Sequence, residues 1–122
     1  MNPRLMPIAL VLCTFFLVAP ALAQVDYPEE LKAIVAQYPG AQVEMAMKTP
    51  QGSHVVLTSS DPPQKAYAYY KEALTKAGWE TQMEMTHTEG LQGHWKKGDK
   101  MVHVVVTKDQ EKTQIVLLVG TN

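Results

Sequence analysis

The sequence predicts an α+β fold: a single small domain with an antiparallel sheet of about five to six strands, one long helix packed on one face, and a short N-terminal helix. Three observations carry this. Residues 62–77 repeat their apolar positions at helical spacing between clear start and stop signals. Several stretches on either side alternate apolar and polar residues with the period of a half-buried strand. Gly98-Asp99 between two such stretches has the residue types of a two-residue hairpin turn.

Taking the elements in order, Tyr27 to Tyr38 places Leu31, Ile34, Val35 and Tyr38 on one helical face. Pro28, Glu29 and Glu30 suit the start of that helix, and Pro39-Gly40 suits its end. Val43, Met45 and Met47 then alternate with polar residues, Pro50-Gln51-Gly52 turns the chain, and His54 to Thr58 forms a second strand of a hairpin. The long helix follows from Pro62 to Ala77. Asp61 is placed to cap it, Pro62 suits its first position, Gln64 gives a capping-box-like spacing, and Gly78 suits the residue just past its end. Its stripe of Ala66, Tyr67, Tyr70, Ala73, Leu74 and Ala77 is expected to lie across the sheet.

After the helix, Trp79, Thr81, Met83 and Met85 alternate with Glu80, Gln82, Glu84 and Thr86, a third strand with Trp79 and both methionines expected inward. The Gly98-Asp99 turn sets the next register. With Lys97 facing Lys100, Trp95 faces Val102, Gly93 faces Val104 and Leu91 faces Val106, so the bulky residues gather on one face. A turn near Asp109-Gln110 leads into a last strand, with Ile115, Leu117 and Val119 on one side and Val116 and Leu118 on the other, which reads as central or covered on both faces. The element order is α-β-β-α-β-β-β-β.

Residues 1–23 have the parts of a cleavable secretory signal: Arg4, an apolar run from Leu5 to Val18, and Ala21-Leu22-Ala23 as the cleavage site. Residues 24–122 are then the working domain, periplasmic or secreted, and free of the membrane once the signal is cut. The run is short for a spanning helix, and Cys13 follows Leu12 inside it, which does not suit a lipoprotein signal. Cys13 and Arg4 are the only cysteine and arginine and both leave with the signal, so disulfides and thiol chemistry are excluded for the mature chain. Ten lysines against twelve acids, with no arginine fork, speak against nucleic acid as a partner.

Tyr38-Pro39-Gly40-Ala41, then Thr58 with Asp61, then Tyr70-x3-Leu74-x3-Gly78-Trp79 and the valine-rich hairpins after it resemble a group of small exported bacterial proteins of uncharacterised function. That group carries a YPGA and YYxxxLxxxGW pattern, and the resemblance spans nearly all of the mature chain. It implies no catalytic residue, because each of its motifs is a helix stop, a cap, an aromatic stripe or a helix-to-strand turn.

No phosphate loop, HExxH, nucleophile elbow or acid–base carboxylate pair is present. Ser53 and His54 are adjacent, but neighbours on a strand point to opposite faces and do not form a nucleophile and its base. Met45, Met47, Met83 and Met85 share alternation with Val43 or Trp79 and are expected as core filling. The Gly98-Asp99 register places His94 opposite His103 on the face away from Trp95, with Met101 and Lys96 beside them. Two imidazoles and a thioether are a candidate copper or zinc site, and an ordinary polar patch is the alternative. Val56, Val105, Val116 and Leu118 share that face; unless the first helix covers them, they form a surface for an envelope protein or peptide. The functional expectation is therefore a non-enzymatic envelope binding or accessory module without a cofactor. A periplasmic copper- or zinc-binding protein using His94, His103 and Met101, or an enzyme of unrecognised type, are the alternatives.

Overall fold

The computed structural model describes residues 25–121; the expected signal segment and its expected cleavage site lie outside them. The elements run α1 (Glu29–Lys32), β1 (Gln42–Thr49), β2 (Gly52–Ser59), α2 (Pro63–Lys76), β3 (Glu80–Thr86), β4 (Gly90–Lys97), β5 (Lys100–Asp109) and β6 (Lys112–Thr121). All neighbouring strands are antiparallel in one six-stranded sheet of order β1-β2-β6-β5-β4-β3. The order follows from one long step. α2 carries the chain across the sheet from β2 to the far edge at β3, and three hairpins bring it back until β6 closes against β2.

α2 forms where expected but starts one residue later. Pro62 is the extended residue before the helix and makes no side-chain cap, and Pro63 opens it. Asp61 is not a cap because its carboxylate is engaged elsewhere: the Tyr38 hydroxyl donates to it at 2.6 Å. Ala77 closes the helix and Gly78 follows at φ +92°, a conformation only glycine adopts cheaply. The stripe is buried at Ala66, Tyr67, Tyr70 and Leu74, whereas Ala77 is exposed.

The first helix is much shorter than its periodicity suggests. One turn forms at Glu29–Lys32, and tertiary partners then take over the backbone. The Tyr27 hydroxyl donates to the Val35 carbonyl at 3.0 Å, and the Tyr38 N–H donates to the Tyr70 hydroxyl at 3.0 Å. Pro39 also disfavours helical geometry at Tyr38. Leu31, Val35 and Tyr38 are buried all the same, and they join the core on the α2 side of the sheet.

That core is one-sided. Val55, Leu57, Trp95, Val102, Val104, Val106, Ile115, Leu117 and Val119 face the helices and are buried. Trp95 lies over Gly93, where a Cβ would collide with the indole ring and with the Tyr67 hydroxyl. Both helices therefore pack on the same face, and β6, although central in the sheet, is covered on that face alone: Leu118 on the other is 38 % exposed. None of the described helices is long and apolar enough to cross a membrane.

Two β-bulges correct the expected burial of the methionines. The register shifts between Val43 and Met45 in β1 and between Thr81 and Met83 in β3. Each extra residue reverses the facing of everything after it relative to simple alternation. Val43 and Thr81 point toward the helices, opposite Leu57 and Trp95, while Met45 and Met47 pair with Val56 and His54, and Met83 and Met85 with His94 and Gln92. The bulge also turns Glu84 inward to the rim of the core, where Tyr67 donates to its carboxylate at 2.7 Å and Lys71 pairs with it at 3.0 Å. The Tyr67 hydrogen bond, followed by Lys71, holds the Glu84 carboxyl below its ordinary range.

Candidate functional site

The face of the sheet away from both helices holds every methionine of the described residues. Two neighbouring rows cross all six strands on it. One runs Met45, Val56, Val116, Val105, Gln92, Met85, and the next runs Met47, His54, Leu118, His103, His94, Met83. Methionines thus flank both edges, and in the middle Val56, Val116, Val105 and Leu118 alternate with Gln92, His54, His103 and His94. Met45, Met47 and Met85 are 38 %, 48 % and 43 % exposed. Leu118, in the middle of the sheet, is 38 % exposed, so apolar surface is left open on this face with no described element packed over it.

The Gly98-Asp99 turn forms the expected register, with Gly98 at φ +64° and Lys97 opposite Lys100. Trp95 faces Val102, Gly93 faces Val104 and Leu91 faces Val106, and His94 faces His103 on the open side. The two imidazole rings stand 5.4 Å apart between centroids, inclined at 49°. The His103 Nε2 atom is buried and has no hydrogen-bond partner among the described residues. Burial, then the neighbouring His94, lowers the His103 pKa below the ordinary histidine value. Met101 lies on the same face, two residues before His103 and opposite Lys96. His94, Met101 and His103 share a shallow depression of about 330 Å³ with Met47, His54 and Leu118. The sequence pattern brings the first three together correctly. It misses Met47, Met83 and His54, which reach the same row through long-range pairing and through bulges that have no local sequence mark.

Ser53 and His54 point to opposite faces as their adjacency requires: Ser53 is buried on the helix side and donates to Glu30 at 2.6 Å, while His54 lies in the open row. A larger depression of about 670 Å³ lies at one end of the sheet, between the start of α2 and the β3–β4 and β5–β6 turns. On its rim, His87, Glu89 and Glu111 are exposed residues of the turns and Lys108 is an exposed residue near the end of β5. Among the described residues no three His, Cys, Asp or Glu side chains gather as a metal cluster.

The model of the START domain-like family matches residues 42–113, over half of the chain, from the first residue of β1 into β6. The chain belongs to the START domain-like family. No curated protein and no solved structure matches it. In this START domain-like chain the family match covers both methionine-bearing edge strands and the His94–His103 hairpin, and it excludes α1 and most of β6. The description names a fold and no reaction, so a function has to be argued from the surface itself.

Proposed function

We propose that this protein is an exported, non-enzymatic binding module of the bacterial envelope, and that its open sheet face docks the apolar surface of a protein partner. The observation that carries the reading is the pair of rows from Met45 to Met85 and from Met47 to Met83, a methionine-edged band of aliphatic and histidine side chains across six strands with no described element packed over it. The whole open face, six strands about 4.8 Å apart and about eight residues long at about 3.3 Å rise, spans roughly 750 Å² with its polar residues included. Each side of a stable protein–protein interface buries about 800 Å². Small molecules, by contrast, are held in concave sites that enclose most of their surface, and this face is broad and shallow.

The side chains support the same choice. Methionine is unbranched and polarisable, so a methionine-flanked surface can re-pack against partners of varied shape, while Val105, Val116 and Leu118 give it a firm centre. The leader argues for the envelope: Arg4, the apolar run and Ala21-Leu22-Ala23 together form an export signal. A binding role also requires no catalytic group, in keeping with a sequence that contains no recognised catalytic motif.

The test is site-specific photocrosslinking in cells, with the photoreactive residue at position 118 on the open face or at position 75 on the exposed side of α2. One discrete protein adduct from position 118 and none from position 75 is expected. Equal labelling from both positions, or no adduct from 118 at normal expression, would overturn the docking assignment.

A further inference from the structure

We propose that His94, His103 and Met101 form a copper(I) site on the open face of the sheet. This goes beyond partner docking and stands on a different observation, the geometry of one hairpin. His94 and His103 are directly paired across β4 and β5, with ring centroids 5.4 Å apart. Rings inclined at 49° are not stacked face to face, and their separation is that of two imidazoles able to share one ion. His103 Nε2 is buried without a hydrogen-bond partner among the described residues, and a buried nitrogen left unpaired is a standing cost that a bound ion would remove. Met101 supplies a thioether from the same strand and the same face, within the depression that both imidazoles line.

The donor set selects the ion. Two imidazoles and one thioether are soft, neutral ligands, the combination that favours copper(I), which accepts two or three of them. Zinc is held by four ligands in structural sites and by three with a water in catalytic ones, drawn from thiolate, imidazole and carboxylate. The depression is lined by neither a carboxylate nor a thiol. Charge points the same way. Lys96 lies opposite Met101, and it repels a monovalent ion half as strongly as a divalent one at the same distance. Glu80, opposite Lys96 on β3, offsets part of that repulsion.

Copper(I), kept reduced with ascorbate without oxygen, is titrated into the purified protein against a chromophoric copper(I) chelator, with zinc as a parallel probe and histidine resonances followed by NMR. The expected result is one copper(I) per chain, with the His94 and His103 imidazole signals shifting and those of His54 and His87 staying in place. His103→Asn and His94→Gln each abolish saturable binding, Met101→Leu weakens it, and zinc gives none. Absence of saturable copper(I) binding to the wild type overturns the proposal. So does binding retained by the His94→Gln/His103→Asn double variant, or shifts confined to His54 and His87. Equal zinc affinity overturns the copper assignment. Because the wild-type spectra report the site directly, the result holds even where a variant folds poorly.

Discussion

The hydroxyl of Tyr70, fully buried on α2, accepts the backbone N–H of Tyr38 at 3.0 Å and so ties the long helix to the irregular segment that precedes β1. Burial is the main reason that the Tyr70 phenol is pushed up to about 12, so the group stays a neutral hydroxyl at any physiological pH. Tyr70→Phe keeps the ring and removes the acceptor, leaving a buried N–H unpaired. The expected loss is about 1–3 kcal/mol. Urea unfolding of the two proteins measures it, and an unchanged midpoint would mean that the bond adds nothing.

Leu74, one turn further along the same stripe, has no exposed surface. Leu74→Ala opens a cavity between α2 and the sheet and should cost about 2–5 kcal/mol, at the upper end if the surrounding aromatic residues cannot close in. The same measurement applies: a midpoint within error of wild type would show that the helix stripe is not part of the core.

Glu84 gives the fold an acid-sensitive contact. Its carboxyl lies below the ordinary value of 4.5 in the folded protein, through Tyr67 first and Lys71 second. The unfolded chain then binds the proton more readily than the folded one, so the contribution is complete above about pH 4.5 and is lost as pH falls through the lowered folded value. Glu84→Gln removes this dependence. Denaturant midpoints between pH 6 and pH 3 should fall less steeply for the variant than for wild type, and parallel curves would remove Glu84 from the acid transition.

Export makes a separate expectation. Cleavage after Ala23 gives a mature protein beginning at Gln24, and intact-mass measurement of the protein recovered from the periplasm or medium reads this directly. A mass that retains residues 1–23, or one carrying a lipid on Cys13, would replace the soluble reading with an anchored one.

Much of this architecture was legible because local chemistry and tertiary packing agree. α2 is bounded by proline and by Gly78, and the Gly98-Asp99 turn fixes a register that places Trp95 against Val102 and His94 against His103. The first helix was overextended because its apolar spacing is satisfied equally well by a chain that leaves helical geometry once Tyr27 and Tyr70 take its backbone groups. The faces of Met45, Met47, Met83 and Met85 were hidden for another reason: alternation counts residues, and a bulge adds one without any residue type that marks it. The two histidines came through correctly because no bulge interrupts β4 or β5, while Met47 and Met83 reach their row only by pairing across edge strands.

The reversed methionines can be tested chemically in the folded protein. Simple alternation would bury Met83 and Met85 beside Trp79, and Met45 and Met47 beside Val43, where peroxide does not reach them without unfolding. The bulged registers instead leave Met45, Met47 and Met85 at 38 %, 48 % and 43 % exposure on a face that nothing described covers. Mild peroxide treatment of the purified protein should therefore convert these three to sulfoxides first, while far-ultraviolet circular dichroism and the urea midpoint hold nearly steady, because among the described residues the core on the other face contains no methionine. The oxidised protein should lose the photoadduct from position 118, since a sulfoxide is polar where the docking surface has to be apolar. Methionines that oxidise only as the protein unfolds would return all four to the core and remove the open apolar face on which partner docking rests.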